Sequence, residues 1–213
     1  MSTPRRGRAG FSLVEILVVI SIIGLLLTLG FGAVRNAMES SRVTTCRKHL
    51  ADIGQTMLLF KDQRNKGRWP RESGIRFLLT LHKTRSLTGR DSDTFLCPGT
   101  PDVINDTGPS GEPGSSYDDW DNIDSMTISY AGRDAINFPI RTNEDEVIAS
   151  DDNERGPNHR TMTNLLYADG DTVSWDIDID GAEILANFPE YAEFGIPVGP
   201  DSPHPPLQVL RID

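Results

Sequence analysis

Cysteine is scarce in this chain, and the cysteine spacing typical of metal sites does not occur in it. Cys46 and Cys97 are the only two cysteines, so the sequence contains no C-x-x-C pair. Structural zinc sites are commonly built on such closely spaced pairs. A zinc site based on cysteine is therefore not expected.

The sequence also lacks the usual signatures of catalysis. It contains no glycine-rich phosphate loop, and no Ser/His/Asp or Cys/His arrangement has support beyond isolated residues. His159 and Asp169 could form an acid–base pair, but Asp169 stands in a D-G dipeptide, where the geometry of a turn already explains an aspartate. We therefore predict that the chain is not an enzyme.

Basic residues are outnumbered by acidic ones. The chain has 31 acidic and 21 basic residues, which gives a formal net charge of −10. Three of the basic residues, Arg5, Arg6 and Arg8, lie within the first ten positions, where no acid occurs. An acidic surface repels phosphate groups, so nucleic acid is not an expected partner. Such a surface suits divalent cations or basic partners.

One long apolar run stands out against this background. It extends from Phe11 to Val34, and Glu15 is its only charged residue. The run exceeds the roughly 20 residues that a membrane-spanning helix needs, and the arginines before it favour a cytoplasmic N-terminus. A secretory signal peptide is one alternative, although its apolar part is usually shorter. A plain single-pass anchor is another, but it leaves an intramembrane carboxylate unexplained.

The stretch RAGFSLVEILVVISIIG resembles the class III signal of type IV prepilins and type II secretion pseudopilins. Gly10, Phe11 and Glu15 fall on that signal's glycine, its aromatic residue and its fifth mature position. The resemblance implies cleavage after Gly10 by a prepilin peptidase and methylation of the Phe11 amine. It also implies that Glu15 pairs with the Phe11 amine of a neighbouring subunit. Opposite charges attract strongly at low dielectric constant, and leaving one unpaired is costly, so the pair would set the axial stagger.

The function implied is that of a structural subunit of a type IV pilus-like or type II secretion pseudopilus filament. The chain would lie in the bacterial inner membrane with an extracytoplasmic C-terminal domain, and then enter the filament. Its partners would be the prepilin peptidase, sister subunits and an inner-membrane assembly platform. The alternative class is a single-pass membrane-anchored module that binds a ligand outside the cytoplasm, in which Glu15 has no role in assembly.

A continuous helix is predicted from Phe11 to Gln63, because no proline occurs between Phe11 and Arg68. In its second half the apolar residues recur three and four positions apart, as on one face of an amphipathic helix: Val43, Cys46, Leu50, Ile53, Met57 and Phe60. The predicted divisions are a leader (1–10), a transmembrane half-helix (11–34), an amphipathic half-helix (35–65), a head (66–196) and a proline-rich extended tail (197–213).

The head is predicted to be α+β, with a small antiparallel sheet packed on the long helix in a pilin-like arrangement. Residues 93–99, 126–132 and 145–151 are predicted to be extended or strand segments. The clearest hairpin surrounds Asp169–Gly170, and a two-residue turn there would place Tyr167 opposite Thr172.

A second resemblance lies within the head. His159, nine further residues, and then Asp169–Gly170 resemble the H-x9-DG segment of a bacterial group of G-type prepilin-like proteins. The stretches CRKHLADIG, FLCP and ISYAG resemble three other segments of that group, in the same order along the chain. His159, Asp169 and Gly170 are interpreted as structural residues of this motif.

A disulfide is predicted between Cys46 and Cys97, since both would lie outside the cytoplasm, where disulfides persist. Buried free thiols are the alternative.

A calcium site is a further hypothesis, because carboxylate oxygens suit Ca²⁺ and the loop YDDWDNIDS is dense in them. Its candidate ligands are Asp118, Asp119, Asp121 and Asp124. A solvated acidic loop without an ion is the alternative.

Overall fold

The computed structural model describes residues 12–87, 93–100, 115–121, 123, 127–141, 145–151, 158–159 and 161–213. The chain divides into two compact units, with the division between Ser40 and Ser41. Among the described residues, the first unit is the beginning of a long helix, and the second contains the rest of that helix and the head.

The long helix, α1, runs from Leu13 to Gln63 and contains 51 residues. In the first unit its apolar side chains face outward; Leu13 is 84% exposed and Leu26 is 63% exposed. Across the residues that the structure describes, no helix qualifies by length and apolar character as one that could cross a membrane. The membrane span predicted for Phe11–Val34 is therefore not confirmed.

The second part of α1 buries one face against the head. The buried apolar side chains are those of the predicted stripe from Cys46 onward: Cys46, Leu50, Ile53, Met57 and Phe60. Gly54 lies beside this stripe, and a Cβ atom there would come within 2.6 Å of Leu166 Cδ1 in the sheet. A glycine at this position lets the helix approach the sheet closely.

The sheet formed by the described residues has five strands, and every pairing in it is antiparallel. The strands are β1 Tyr130–Arg133, β2 Val147–Asp151, β3 Met162–Tyr167, β4 Thr172–Asp176 and β5 Leu210–Arg211. Their spatial order is β4-β3-β2-β1-β5. The α+β class and a helix packed on an antiparallel sheet agree with a pilin-like fold.

The β3–β4 hairpin differs by one residue from the predicted register. Leu166, not Tyr167, lies opposite Thr172. The Tyr167 amide instead donates a hydrogen bond to the Asp171 carbonyl at 2.9 Å, and Gly170 has φ +94°. The chain thus reverses over a three-residue loop that ends in a glycine of positive φ, so the predicted two-residue turn was wrong.

Short helices also lie in the described part of the head. They are α2 Ile75–Lys83, α3 Ala182–Asn187 and α4 Tyr191–Phe194, with 3₁₀ turns at Ser115–Asp118 and Pro205–Leu207. Residues 93–95 also form a 3₁₀ turn, so the strand or extended segment predicted for residues 93–99 does not begin at residue 93.

Both faces of the sheet are covered, and each has its own core. Successive side chains of a strand point to opposite faces, so Leu166 packs with α1 and α2 while Leu165 packs with the C-terminal segment. The second core includes Ile196, Leu207 and Leu210, all buried.

The C-terminal segment, residues 197–213, packs on the sheet and is not the extended tail that the sequence predicts. Strand β5 pairs with β1, with Leu210 opposite Arg133. The His204 ring stacks on Trp175 with centroids 4.3 Å apart, and Leu207 is fully buried. The apolar residues between the prolines cover the second face of the sheet, so this segment belongs to the head.

Candidate functional site

The first candidate site is the start of α1. Gly10 and Phe11 lie outside the described residues. Glu15 lies in the first turn of α1, where its Oε2 accepts a hydrogen bond from the Ser12 amide at 2.9 Å. Ser12 Oγ in turn accepts one from the Val14 amide at 3.3 Å. This reciprocal pattern is a variant of the capping box in which the serine side chain caps the second helical amide, so within a single chain the Glu15 carboxylate caps its own helix.

The capping arrangement stabilises the charge of Glu15 at the start of the helix. A carboxylate near a helix N-terminus interacts favourably with the helix dipole. The Ser12–Leu13–Val14–Glu15 sequence therefore explains why a charge is tolerated at this position in an otherwise apolar stretch. It also leaves the second carboxylate oxygen of an exposed residue available for a partner.

The second candidate site is the pair of cysteines. Cys46 in α1 and Cys97 form a disulfide. His159 is also buried here, with its Nε2 3.3 Å from Cys97 Sγ. A disulfide sulfur can only accept a hydrogen bond, so this contact requires the proton to be on Nε2.

A polar network lies behind His159. Its Nε2 is 3.8 Å from Asp151 Oδ2, and that oxygen also accepts hydrogen bonds from the backbone and side-chain nitrogens of Asn164, each at 3.0 Å. Ser174 Oγ donates to Asn164 Oδ1 at 2.6 Å. All these groups except Ser174 are buried, and burying a charge is costly unless it is hydrogen-bonded. The network therefore fixes β2, β3 and β4 relative to the disulfide.

Tyr130 closes the cluster from β1. Its hydroxyl donates to the carbonyls of Cys46 and Leu96, both at 3.5 Å. Burial, followed by the nearby charge of Asp151, raises the pKa of Tyr130 well above its usual value. A neutral, fully buried tyrosine here is a packing and hydrogen-bonding group.

Gly99 lets the chain pass close to His159. A Cβ atom at this position would lie 2.5 Å from the Asn158 carbonyl oxygen and 3.0 Å from the His159 ring. No side chain larger than hydrogen fits this gap without a backbone shift.

The two ends of the H-x9-DG segment lie in different environments. His159 is buried beside the disulfide, whereas Asp169 is exposed at the β3–β4 turn, where its Oδ1 accepts a hydrogen bond from the Asp171 amide at 2.9 Å. The carboxylate near His159 is that of Asp151, not that of Asp169. The arrangement accounts for both ends of the motif by turn formation and packing.

The proposed calcium ligands are only partly described. Asp118 Oδ1 lies 3.1 Å from His82 Nε2, Asp119 and Asp121 occupy the segment that follows, and Asp124 lies outside the described residues. Within the described part of the chain, the one group whose ligand atoms lie close enough to share a metal ion is Cys46, Cys97 and His159. Zinc binds thiolates, whereas these two sulfurs are bonded to each other in a disulfide and therefore offer it no thiolate ligand.

Sequence reasoning missed Asp151, Asn164 and Ser174. An aspartate at the end of a strand carries no distinguishing signal in a chain with 31 acidic residues. The available clue was a buried-strand pattern interrupted by a polar residue, TNLLY, since a buried amide needs partners.

Comparison with known proteins bears on the first site. Residues 5–31 match the family described as Prokaryotic N-terminal methylation motif. No curated protein and no solved structure matches the chain significantly. The motif supports a type IV pilin-like or pseudopilin subunit, and it implies processing by a prepilin peptidase and assembly with other pilin subunits.

Proposed function

We propose that the chain is a structural, non-catalytic subunit of a filament of the type IV pilus or type II secretion pseudopilus kind. The observation that carries the proposal is the methylation motif at residues 5–31, which contains the Gly10–Phe11 junction and Glu15. The subunit would insert in the inner membrane, lose residues 1–10 to a prepilin peptidase, become methylated on Phe11 and join its filament from the membrane through an assembly platform.

The exposed apolar surface of α1 supports this proposal. In the first unit large apolar side chains are about half exposed or more, from Leu13 to Met38. Contiguous apolar surface of this kind marks a site that contacts membrane or protein. A lipid bilayer before assembly and sister helices after it would both cover this surface.

The geometry of Glu15 supports a role in assembly as well. Its carboxylate accepts one hydrogen bond from the Ser12 amide and is otherwise exposed. In a filament, the methylated amine of a neighbouring Phe11 would be a cationic partner for this carboxylate. Such a pair is much stronger in an apolar surrounding than in water.

The subunit would be of the G type, which the H-x9-DG segment and three other short segments suggest. The segments that suggest it lie around one buried cluster: Cys46 on α1, Cys97 of FLCP, Tyr130 of ISYAG and His159 of H-x9-DG. A shared structural cluster is a physical reason for those short motifs to occur together in one chain.

The test separates the charge of Glu15 from its capping role. Glutamine also fits the third helical position of a capping box, so Glu15→Gln retains the cap and removes the charge. We expect Glu15→Gln and Glu15→Ala to be processed at Gly10 and yet to yield no filaments sheared from cells. The matched control is Ser12→Ala, which removes the cap at a cost of ~1 kcal/mol and keeps the charge; it should still form filaments. Normal filaments from Glu15→Gln would contradict a charge-pairing role.

A further inference from the structure

A groove in the head has an apolar lining and two arginines. It lies between segments 67–71 and 135–140 and has a volume of about 490 Å³. Its apolar lining consists of Trp69, Pro70, Ala135, Ile136, Pro139 and Ile140. The Trp69 ring is held by Phe77, with centroids 6.4 Å apart, and Lys61 Nζ lies 4.8 Å from its centre. The groove is therefore anchored to the core of the head.

Arg68 and Arg71 also line this groove and are exposed. Among the described residues, no carboxylate pairs with either guanidinium. By contrast, Arg133 in the neighbouring cavity is bound to Glu146, with Nη2 2.7 Å from Oε2. The charges of Arg68 and Arg71 are thus available for an acidic partner.

A complementary feature follows strand β4. Ile179 is 75% exposed and is flanked by Asp178 and Asp180, both exposed. Side-chain hydrogen bonds with Asp176 fix the turn that carries it: Asp176 Oδ1 accepts one from Asp178 N at 2.9 Å, and Asp176 N donates one to Asp180 Oδ2 at 3.0 Å. The Asp176 carbonyl also accepts one from Asp180 N at 2.7 Å. A rigid turn thus presents one apolar side chain between two carboxylates.

The two features lie at opposite corners of the sheet. The Ile179 turn follows Asp176, which pairs with Met162 at the start of β3. The same end of the sheet contains the start of β1, where Tyr130 pairs with Asp151. The groove segment 135–140 instead follows Arg133, where β1 ends. With strands about 4.8 Å apart and residues about 3.4 Å apart along them, the two corners are separated by roughly 20 Å. A chain cannot insert its own Ile179 turn into its own groove.

We propose that the Ile179 turn of one copy enters the groove of a second copy of this chain. Ile179 would contact Trp69 and Ile136, while Asp178 and Asp180 would pair with Arg68 and Arg71. The two surfaces differ, so the contact is heterologous; repeated, such a contact gives a ring if the rotation between copies closes and an open chain if it does not, and a filament requires the open chain. This inference rests on the proposed filament function and adds to it the head-to-head contact between subunits.

A charge swap in the full-length chain, expressed in cells that assemble it, tests the pairing. Arg68→Glu/Arg71→Glu and Asp178→Arg/Asp180→Arg should each lower the yield of sheared filaments about tenfold, since each places like charges face to face. The four substitutions together restore opposite charges and should return the yield towards that of the wild type. Glu190→Arg/Glu193→Arg makes the same change of charge on exposed residues of the same region and should leave the yield unchanged.

Crosslinking tests the geometry directly. A chain carrying both Ile179→Cys and Ile136→Cys should give a ladder of disulfide-linked multimers in filaments. A mixture of chains that carry one substitution each should stop at dimers. The native cysteines do not interfere because both are buried in their own disulfide.

The outcomes are distinct. Rescue by the combined charge swap, together with the ladder, supports the contact. Reversals without effect, reversals without rescue, or filaments that give no crosslink overturn it and leave the filament function intact. A wild-type chain that is processed but never enters a filament overturns the proposed function itself.

Discussion

His159 illustrates at the residue scale how one buried ring can connect motifs that are distant in the sequence. It contacts Cys97 and lies next to Asp151, while Gly99 provides the space for its ring. The sequence could suggest Cys46 and Cys97 as a pair because a chain that is predicted to lie outside the cytoplasm and has two cysteines offers one pairing. It could mark Asn164 as a polar residue within an apolar strand, but it could not suggest Asp151 as its partner, because that contact depends on which strands become neighbours.

The disulfide should contribute much of the stability of the head. Its cysteines are 51 residues apart. Closing a loop of that size lowers the entropy of the unfolded chain and so raises the free energy of unfolding by about 4 kcal/mol. We expect Cys46→Ala/Cys97→Ala to lower the melting temperature by roughly 10 °C. Calorimetry with and without reductant checks this: reductant should lower the melting temperature of the wild type and leave that of the double variant unchanged. Equal melting temperatures for the two proteins would contradict it.

The lowered pKa of Asp134 predicts that the free energy of unfolding of the head decreases in acid. Burial alone would raise the pKa of this carboxyl group, but hydrogen bonds from Asn137 and Ser73 and the charge of Arg211 outweigh it and lower the pKa below its usual value. A lowered folded-state pKa stabilises the fold above the unfolded-state pKa of about 3.9 and loses that contribution as the pH falls below it.

The corresponding variant is Asp134→Asn. It should lose ~1–2 kcal/mol at pH 7, because the hydrogen bonds from Ser73 and Asn137 lose their charged acceptor and one of its two oxygens. Its stability should also fall less steeply than that of the wild type below pH ~4. Urea unfolding at a series of pH values measures both effects. The surface variant Asp201→Asn serves as the control and should match the wild type at pH 7. Parallel acid profiles for Asp134→Asn and wild type would show that Asp134 is not responsible.

At the scale of elements, the sequence predicts features that depend on local spacing better than it predicts which strands pair. The buried face of α1 followed from the spacing of its apolar residues, which is a local property. The hairpin register did not, because it depends on the positive φ of Gly170. The pairing of β5 with β1 joins Arg211 to Gly132, almost eighty residues apart, and no local signal marks it.

Gly132 is the element-scale test of how α2 docks on β1. A Cβ atom at this position would lie 2.1 Å from the backbone oxygen of Gly74, the residue before α2, so the backbone must shift. We expect Gly132→Ala to destabilise the head by about 1–3 kcal/mol, as overpacking does. The control is Gly32→Ala, where no atom lies within 4 Å. Thermal unfolding followed by circular dichroism measures both, and equal melting temperatures would show that the contact can relax.

At the scale of the whole molecule, the chain combines a helix with an exposed apolar beginning and a head whose described residues form a core on each face of the sheet. The class of protein could be predicted from residues 5–31 because a processing signal is read as a linear sequence. The relative positions of the groove and the Ile179 turn could not, because they depend on the strand order β4-β3-β2-β1-β5. The surface that a neighbouring copy would contact is therefore a property of the fold.

The most direct test is mass spectrometry of the N-terminal peptide of the chain, purified from the cells that produce it. The account predicts a mature protein that begins at Phe11 and carries a methylated amine. A chain that begins at Met1 and retains Arg5, Arg6 and Arg8 would contradict it and would favour a membrane-anchored binding module instead.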